Sequence, residues 1–246
     1  MDALPRSGRL VCWFNAWTVG EATPDDLPEL VLGGDAAHDV VGLTDTPQPL
    51  LLAAGRLRLG GGGASLSLPA AGDPVGLTGP PELTMAAMEA GEAALFPYAG
   101  VALVPEVVGA GVFWQALACA PAAGAAVGVR AAERGLREAL LGCAERLLAL
   151  DVATWRPEIS DALSGIREKR DAPLPRGYSP HASQLAALAL RCHTIVDLAH
   201  QNGSATVTSR EEVARAQALG ALDRAARHAL VAACSDVPRR GHARVR

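Results

Sequence analysis

Residues Val101–Pro121 read VALVPEVVGAGVFWQALACAP, a run whose ionisable side chains are Glu106 and Cys119. Twenty-one mostly apolar residues are long enough for a membrane-spanning helix, which needs about 20. The interruptions argue otherwise: Pro105, Glu106, Gly109, Gly111 and Gln115 all fall inside the run. Its β-branched and aromatic content suits buried strands instead. The expectation is two of them, Val101–Val104 and Val107–Ala118, meeting or bending near Pro105.

This run also divides the chain. Before it come short apolar segments punctuated by Pro and Gly; after it come long patterns rich in Ala and Arg. Residues 1–126 carry four Arg against thirteen Asp or Glu, and residues 127–246 carry eighteen Arg or Lys against thirteen acids. The expected organisation is therefore a β-rich acidic half (1–126), a helical basic half (127–236) and a disordered basic tail (237–246). Halves of opposite charge attract each other or each seek a partner. Pro121–Gly128, a stretch of small residues, reads as the hinge between them.

In the first half, Leu10–Val19 (LVCWFNAWTV) reads as a strand, aromatic and β-branched and closed by Gly20. Asn15 within it is expected to be a hydrogen-bonded structural residue. Thr23–Asp26 looks like a helix cap and first turn, and Leu30–Leu32 and Val40–Leu43 like short strands. In Leu50–Leu68, Leu57 and Leu59 alternate with Arg56 and Arg58. Gly60–Gly63 come next, then Leu66 and Leu68 alternate with Ser65 and Ser67. That pattern predicts a β-hairpin. The four glycines lack the GK[ST] ending or the following helix of a phosphate loop. Pro80-Pro81-Glu82 starts a helix that Gly91 ends.

From Val129 the period becomes helical. Val129, Ala132, Leu136, Cys143, Leu147 and Leu150 form one stripe. Pro157–Arg167 predicts a short helix, and residues 169–180 a proline-rich loop. His181–His200 forms a third helix, and Ser209 with Glu212 makes a capping box opening a last helix to about Cys234. These patterns give an α+β fold class: a mostly antiparallel sheet of five to seven strands, then a bundle of three or four helices. Strands and helices are segregated, which disfavours a doubly wound sheet.

Composition narrows the chemistry. Half of the 246 residues are hydrophobic and only 4% aromatic, so the core is built from small aliphatics. Lys169 is the one lysine beside 21 arginines, a bias that GC-rich coding produces. No Walker A, kinase or Schiff-base pattern surrounds it, so those lysine-dependent classes are excluded. Five cysteines with no pair closer than 24 residues suit buried, reduced thiols in a cytoplasmic protein. The first residues show no apolar signal segment.

No G-x-S-x-G, H-E-x-x-H, C-x-x-C or EF-hand loop occurs. One cluster carries candidate chemistry. His193, Asp197 and His200 lie at i, i+4 and i+7 on one helix, within one side of its circumference. His228, on the expected antiparallel neighbour, can face them. Two imidazoles and a carboxylate suit zinc, iron or manganese, with His228 as fourth ligand or base. The simpler reading of the same residues is a polar seam with Arg224 and Arg227. Glu82, Glu89, Glu92 and Glu106, with the loop at Asp73, make an acidic group that suits exposed helix positions more simply than acid–base chemistry. The basic tail and Arg167–Arg170 lack a nucleic-acid motif in an acidic chain, so a nucleic-acid partner is disfavoured. Two functions remain. The first is a cytoplasmic protein binding a small molecule or protein at the junction of the halves, with regulation as its outcome. The alternative is a metal-assisted hydrolase using the histidine cluster. The sequence names no cofactor.

Overall fold

A computed structural model describes residues 4–120, 127–149, 174–201 and 209–238. The fold is α+β: a six-stranded mixed sheet in the N-terminal half and long helices in the C-terminal half. The strands are β1 (His38–Val41), β2 (Gln48–Pro49), β3 (Ser65–Ser67), β4 (Ala93–Phe96), β5 (Val101–Val108) and β6 (Gly111–Ala118). Their order is β2-β1-β6-β5-β4-β3, antiparallel at every step except β1 with β6.

The dividing run is a hairpin of two central strands, buried at Ala102–Pro105 but exposed toward its turn, where Val107, Val108 and Phe113 meet solvent. It turns at Gly109, where φ is +61°, and not at Pro105. Pro105 pairs with Trp114 on β6, and β4 has ended by that point: its pairing with β5 covers Val101–Leu103. The missing N–H therefore interrupts no ladder. Among the described residues, no helix is long and apolar enough to cross a membrane.

Three expectations of strand fail. Leu10–Val19 lies in a helix, α1 (Arg6–Thr18). Leu10–Ala16 is buried without a break. A helix apolar all round reads like a strand when it is this short. Leu50–Leu68 is not a hairpin: Leu50–Leu59 is helix α2, and only Ser65–Ser67 is strand, paired with β4. The buried residues of α2 are Leu50, Ala53, Ala54 and Leu57, spaced i, i+3, i+4, i+7, a helical stripe beneath the Arg/Leu alternation. Leu30–Leu32 belongs to a π-helical turn, Pro28–Leu32.

The other local signals match their elements. Thr23 and Asp26 cap a 3₁₀ turn reciprocally, the Asp26 carboxylate accepting the Thr23 N–H at 2.6 Å. Helix α3 (Pro81–Ala90) ends at Gly91 in the left-handed conformation. The C-terminal helices are α4 (Val129–Ala149), α5 (Pro180–Gln201) and α6 (Ser209–Cys234). The expected helix at Pro157–Arg167, the hinge over 121–126, residues 169–173 of the loop, residues 239–246 of the tail and the side chain of Ser209 in the capping box lie outside the described residues.

One apolar core joins the halves. It runs from Trp13 and Phe14 of α1 through Trp114 of β6 to Leu136, Leu185 and Leu222 of the three long helices. Phe14 meets Phe96 edge to face at 4.9 Å. A smaller core lies on the sheet's other face, where Leu83 and Ala87 of α3 cover Leu95, Ala102 and Val104. Asn15 is structural, as expected. Its side chain accepts the Ala64 N–H at 2.7 Å and donates to the Ala64 carbonyl at 2.9 Å, pinning the strand entry to α1. Tyr178 hydroxyl donates to the Cys234 carbonyl at 2.8 Å, fastening the end of α6 to the chain leading into α5.

Candidate functional site at the junction of sheet and helices

Helices α5 and α6 pack side by side, and where they meet the start of α1 and the link from α3 to β4 a cleft of about 300 Å³ remains. Its apolar wall is Leu68 from the end of β3, Leu190 of α5, and Ala226 and Leu230 of α6. Pro5, Ala90 and Gly91 form its rim, and its polar groups are Glu92, His193 and Arg227. Gly91 reverses the chain after α3, and that reversal brings Glu92 back to the N-terminus of α1. There Glu92 Oε2 accepts the Ser7 N–H at 2.6 Å, capping a helix whose preceding residue, Pro5, makes no side-chain cap. Burial pushes the Glu92 carboxyl above the usual range, against the pull of that hydrogen bond.

Behind the cleft runs a polar seam. His193 Nδ1 lies 3.2 Å from Asp223 Oδ1, and His193 Nε2 lies 3.8 Å from Asp197. Asp223 accepts from Arg227 Nε at 3.0 Å, one helical turn along α6. Arg227 continues across to the sheet half, donating Nη1 to the Leu68 carbonyl at 2.9 Å and meeting Asp73 through Nη2 at 3.0 Å. Asp73 also accepts from His228 Nε2 at 3.0 and 3.1 Å, with Arg224 farther off at 3.7 Å. A tight turn presents it: Ala70 and Asp73 exchange both backbone hydrogen bonds.

The electrostatics reflect these partners. The hydrogen bond to Asp223 raises the His193 pKa against the cost of burial. The same bond, with Arg227, lowers that of Asp223. At Asp73, burial favours the neutral acid, but the His228 hydrogen bond and the charges of His228 and Arg227 outweigh it, so its pKa falls.

The four sequence-derived candidates are therefore divided. His193 and Asp197 are neighbours, His228 turns to Asp73, and His200 stands near the end of α5, outside the seam. Among the described residues, no three His, Cys, Asp or Glu side chains are grouped to hold a metal. Arg224 and Arg227 do share a seam with the two histidines, as the simpler reading had it. The acidic group is scattered: Glu106 bonds Gln115, Glu92 caps α1 and Asp73 faces α6. Sequence reasoning missed Asp223 and the wall residues Leu68 and Leu190. The i, i+4 pair Asp223 and Arg227 was the available signal for the first; nothing local marks the others.

Two family models match: the Rv1486c-like protein, N-terminal domain, over residues 7–128, and the Rv1486c-like protein, C-terminal domain, over residues 130–231. The chain belongs to the Rv1486c-like family. No curated protein and no solved structure matches it. In this Rv1486c-like chain the cleft takes Leu68 and Glu92 from the first matched stretch and Leu190, His193, Arg227 and Leu230 from the second. Neither stretch encloses it alone.

Proposed function

We propose that this chain is a cytoplasmic binding protein that holds a small organic molecule in the cleft between its sheet half and its helices, with regulation of a partner as the outcome. The cleft carries the reading. It is concave, mostly apolar, and has a few convergent polar groups, the usual make-up of small-molecule sites, whose volumes start at roughly 300 Å³. Its place between two stretches of chain gives a ligand leverage on how they pack, which is how binding becomes a signal. The cytoplasmic location draws support from five cysteines that are all free thiols.

The metal-assisted hydrolase draws less support, because His193 is held by Asp223 and His228 by Asp73, leaving the pair on different carboxylates. The test is a thermal-shift screen of a fragment library on the full chain, repeated on Ala90→Trp. Ala90 is exposed at the rim, so the indole obstructs the mouth without entering the core. Ligands of the cleft raise the melting temperature of the native chain by mass action and lose that effect in the variant. A library with no stabilising member, or hits indifferent to Ala90→Trp, refutes the reading.

A further inference from the structure

The polar wall of the cleft is lopsided in charge. Arg227 reaches the cleft with each guanidinium nitrogen already engaged, Nε on Asp223, Nη1 on the Leu68 carbonyl and Nη2 on Asp73. His193 is likewise held by Asp223. The two cationic groups are thus neutralised from behind. Glu92 is not. The Ser7 N–H donates to it at 2.6 Å and the Arg6 N–H and Ser7 side chain also favour its charged form, but among the described residues no cationic side chain pairs with it. The charge of Arg6 reaches Glu92, but its guanidinium forks onto Asp35 at 2.7 and 2.9 Å. The carboxyl in this cleft without a cationic side chain paired to it is thus Glu92, half-buried at the start of α1 beside an apolar wall.

We infer that the ligand is a small organic amine, its ammonium group on Glu92 and its hydrocarbon body against Leu68, Leu190 and Leu230. This assignment rests on the proposed role of the cleft as a small-molecule site. An ammonium donates to a carboxylate in a charge-assisted hydrogen bond, about twice as strong as a neutral one. A carboxylate ligand would face Glu92 and find no free nitrogen on Arg227. A neutral ligand would gain the apolar contact alone. The cleft volume limits the body to a fragment-sized chain or single ring.

Three probes of matched length decide it: hexylamine, 1-hexanol and hexanoate, titrated into the full chain and followed by amide NMR shifts of residues around the cleft. Hexylamine binds at least roughly tenfold tighter than 1-hexanol, with hexanoate weakest. Glu92→Gln, whose amide oxygen still accepts the Ser7 N–H, brings hexylamine down to the level of 1-hexanol. The ranking on the native chain stands independently of that variant. If 1-hexanol or hexanoate matches or exceeds hexylamine while shifting the cleft residues, the amine assignment falls and the cleft remains a binding site. If none of the three shifts them, both readings fall.

Discussion

Arg227 is where the two halves are tied by charge, and Arg227→Met removes that tie while keeping most of the side chain's length. Arg227 and Asp73 are 13% and 12% exposed, so neither is well screened by water. The substitution leaves the Leu68 carbonyl without its donor, which costs about 1–3 kcal/mol when the group is buried. Asp73 loses one of its cations but keeps His228 at 3.0 Å. That remaining bond brings the cost below the 3–5 kcal/mol typical of a fully broken buried pair. The expected loss is about 2–4 kcal/mol in urea unfolding followed by circular dichroism, with the slope unchanged. Arg224→Met is the control. Arg224 is 62% exposed and 3.7 Å from Asp73, so its loss stays within roughly 0.5 kcal/mol. Acid adds a second readout. The folded pKa of Asp73 is depressed, so its contribution is present above the unfolded carboxylate value and is lost as pH falls through the folded one. Arg227→Met shrinks that acid-dependent part. A loss below roughly 0.5 kcal/mol in Arg227→Met, no greater than that of the control, refutes the reasoning.

Two further outcomes concern buried or paired groups. Asn15→Ala strands both the N–H and the carbonyl of Ala64, and chemical denaturation should show a loss of about 2–4 kcal/mol; a value near zero would mean that water replaces the amide. His193 has a folded pKa raised above its ordinary value of 6.5, so its contribution is full below the unfolded pKa and disappears as pH rises through the folded one. NMR titration of the His193 ring should show that elevation in the native chain and its reduction in Asp223→Asn; equal values in both would contradict the assigned hydrogen bond.

The limits of the local pattern are clearest at α1 and α2. Each of the three long helices has one buried side and one wet side, so the stripe through Ala132, Leu136 and Cys143 was readable from spacing alone. The same holds for α3 between its prolines and Gly91, and for the strand character of β5 and β6, where Pro105, Gly109 and Gly111 interrupt any helix, although the turn itself fell at Gly109 and not at Pro105. At α1, local preference for strand, set by Val11, Trp13 and Phe14, was overridden by packing against the sheet, which buries Leu10–Ala16 without a break. At α2 two periods coexisted in one decapeptide, and only the neighbours decided that Leu50, Ala53, Ala54 and Leu57 would face the core.

The cleft itself was set by neighbours distant in sequence, though His193 on its wall had been a candidate. Composition alone determined that the chain would have a large apolar core, an acidic first half and a basic second one; that Trp13, Phe14 and Trp114 would sit at its centre it did not. The spacing also placed His193 and Asp197 a turn apart on one helix. Which carboxylate each histidine would meet depended on partners 30 residues away for His193 and 155 for His228. Hydrogen bonds span about 3 Å and hydrophobic contacts about 4 Å, while the periodicities of helix and strand report only residues a few positions apart. Contacts between Glu92 and α1, or between Leu68 and Arg227, come from the packing of distant segments, so the site exists only once the sheet and the helices have closed on one another.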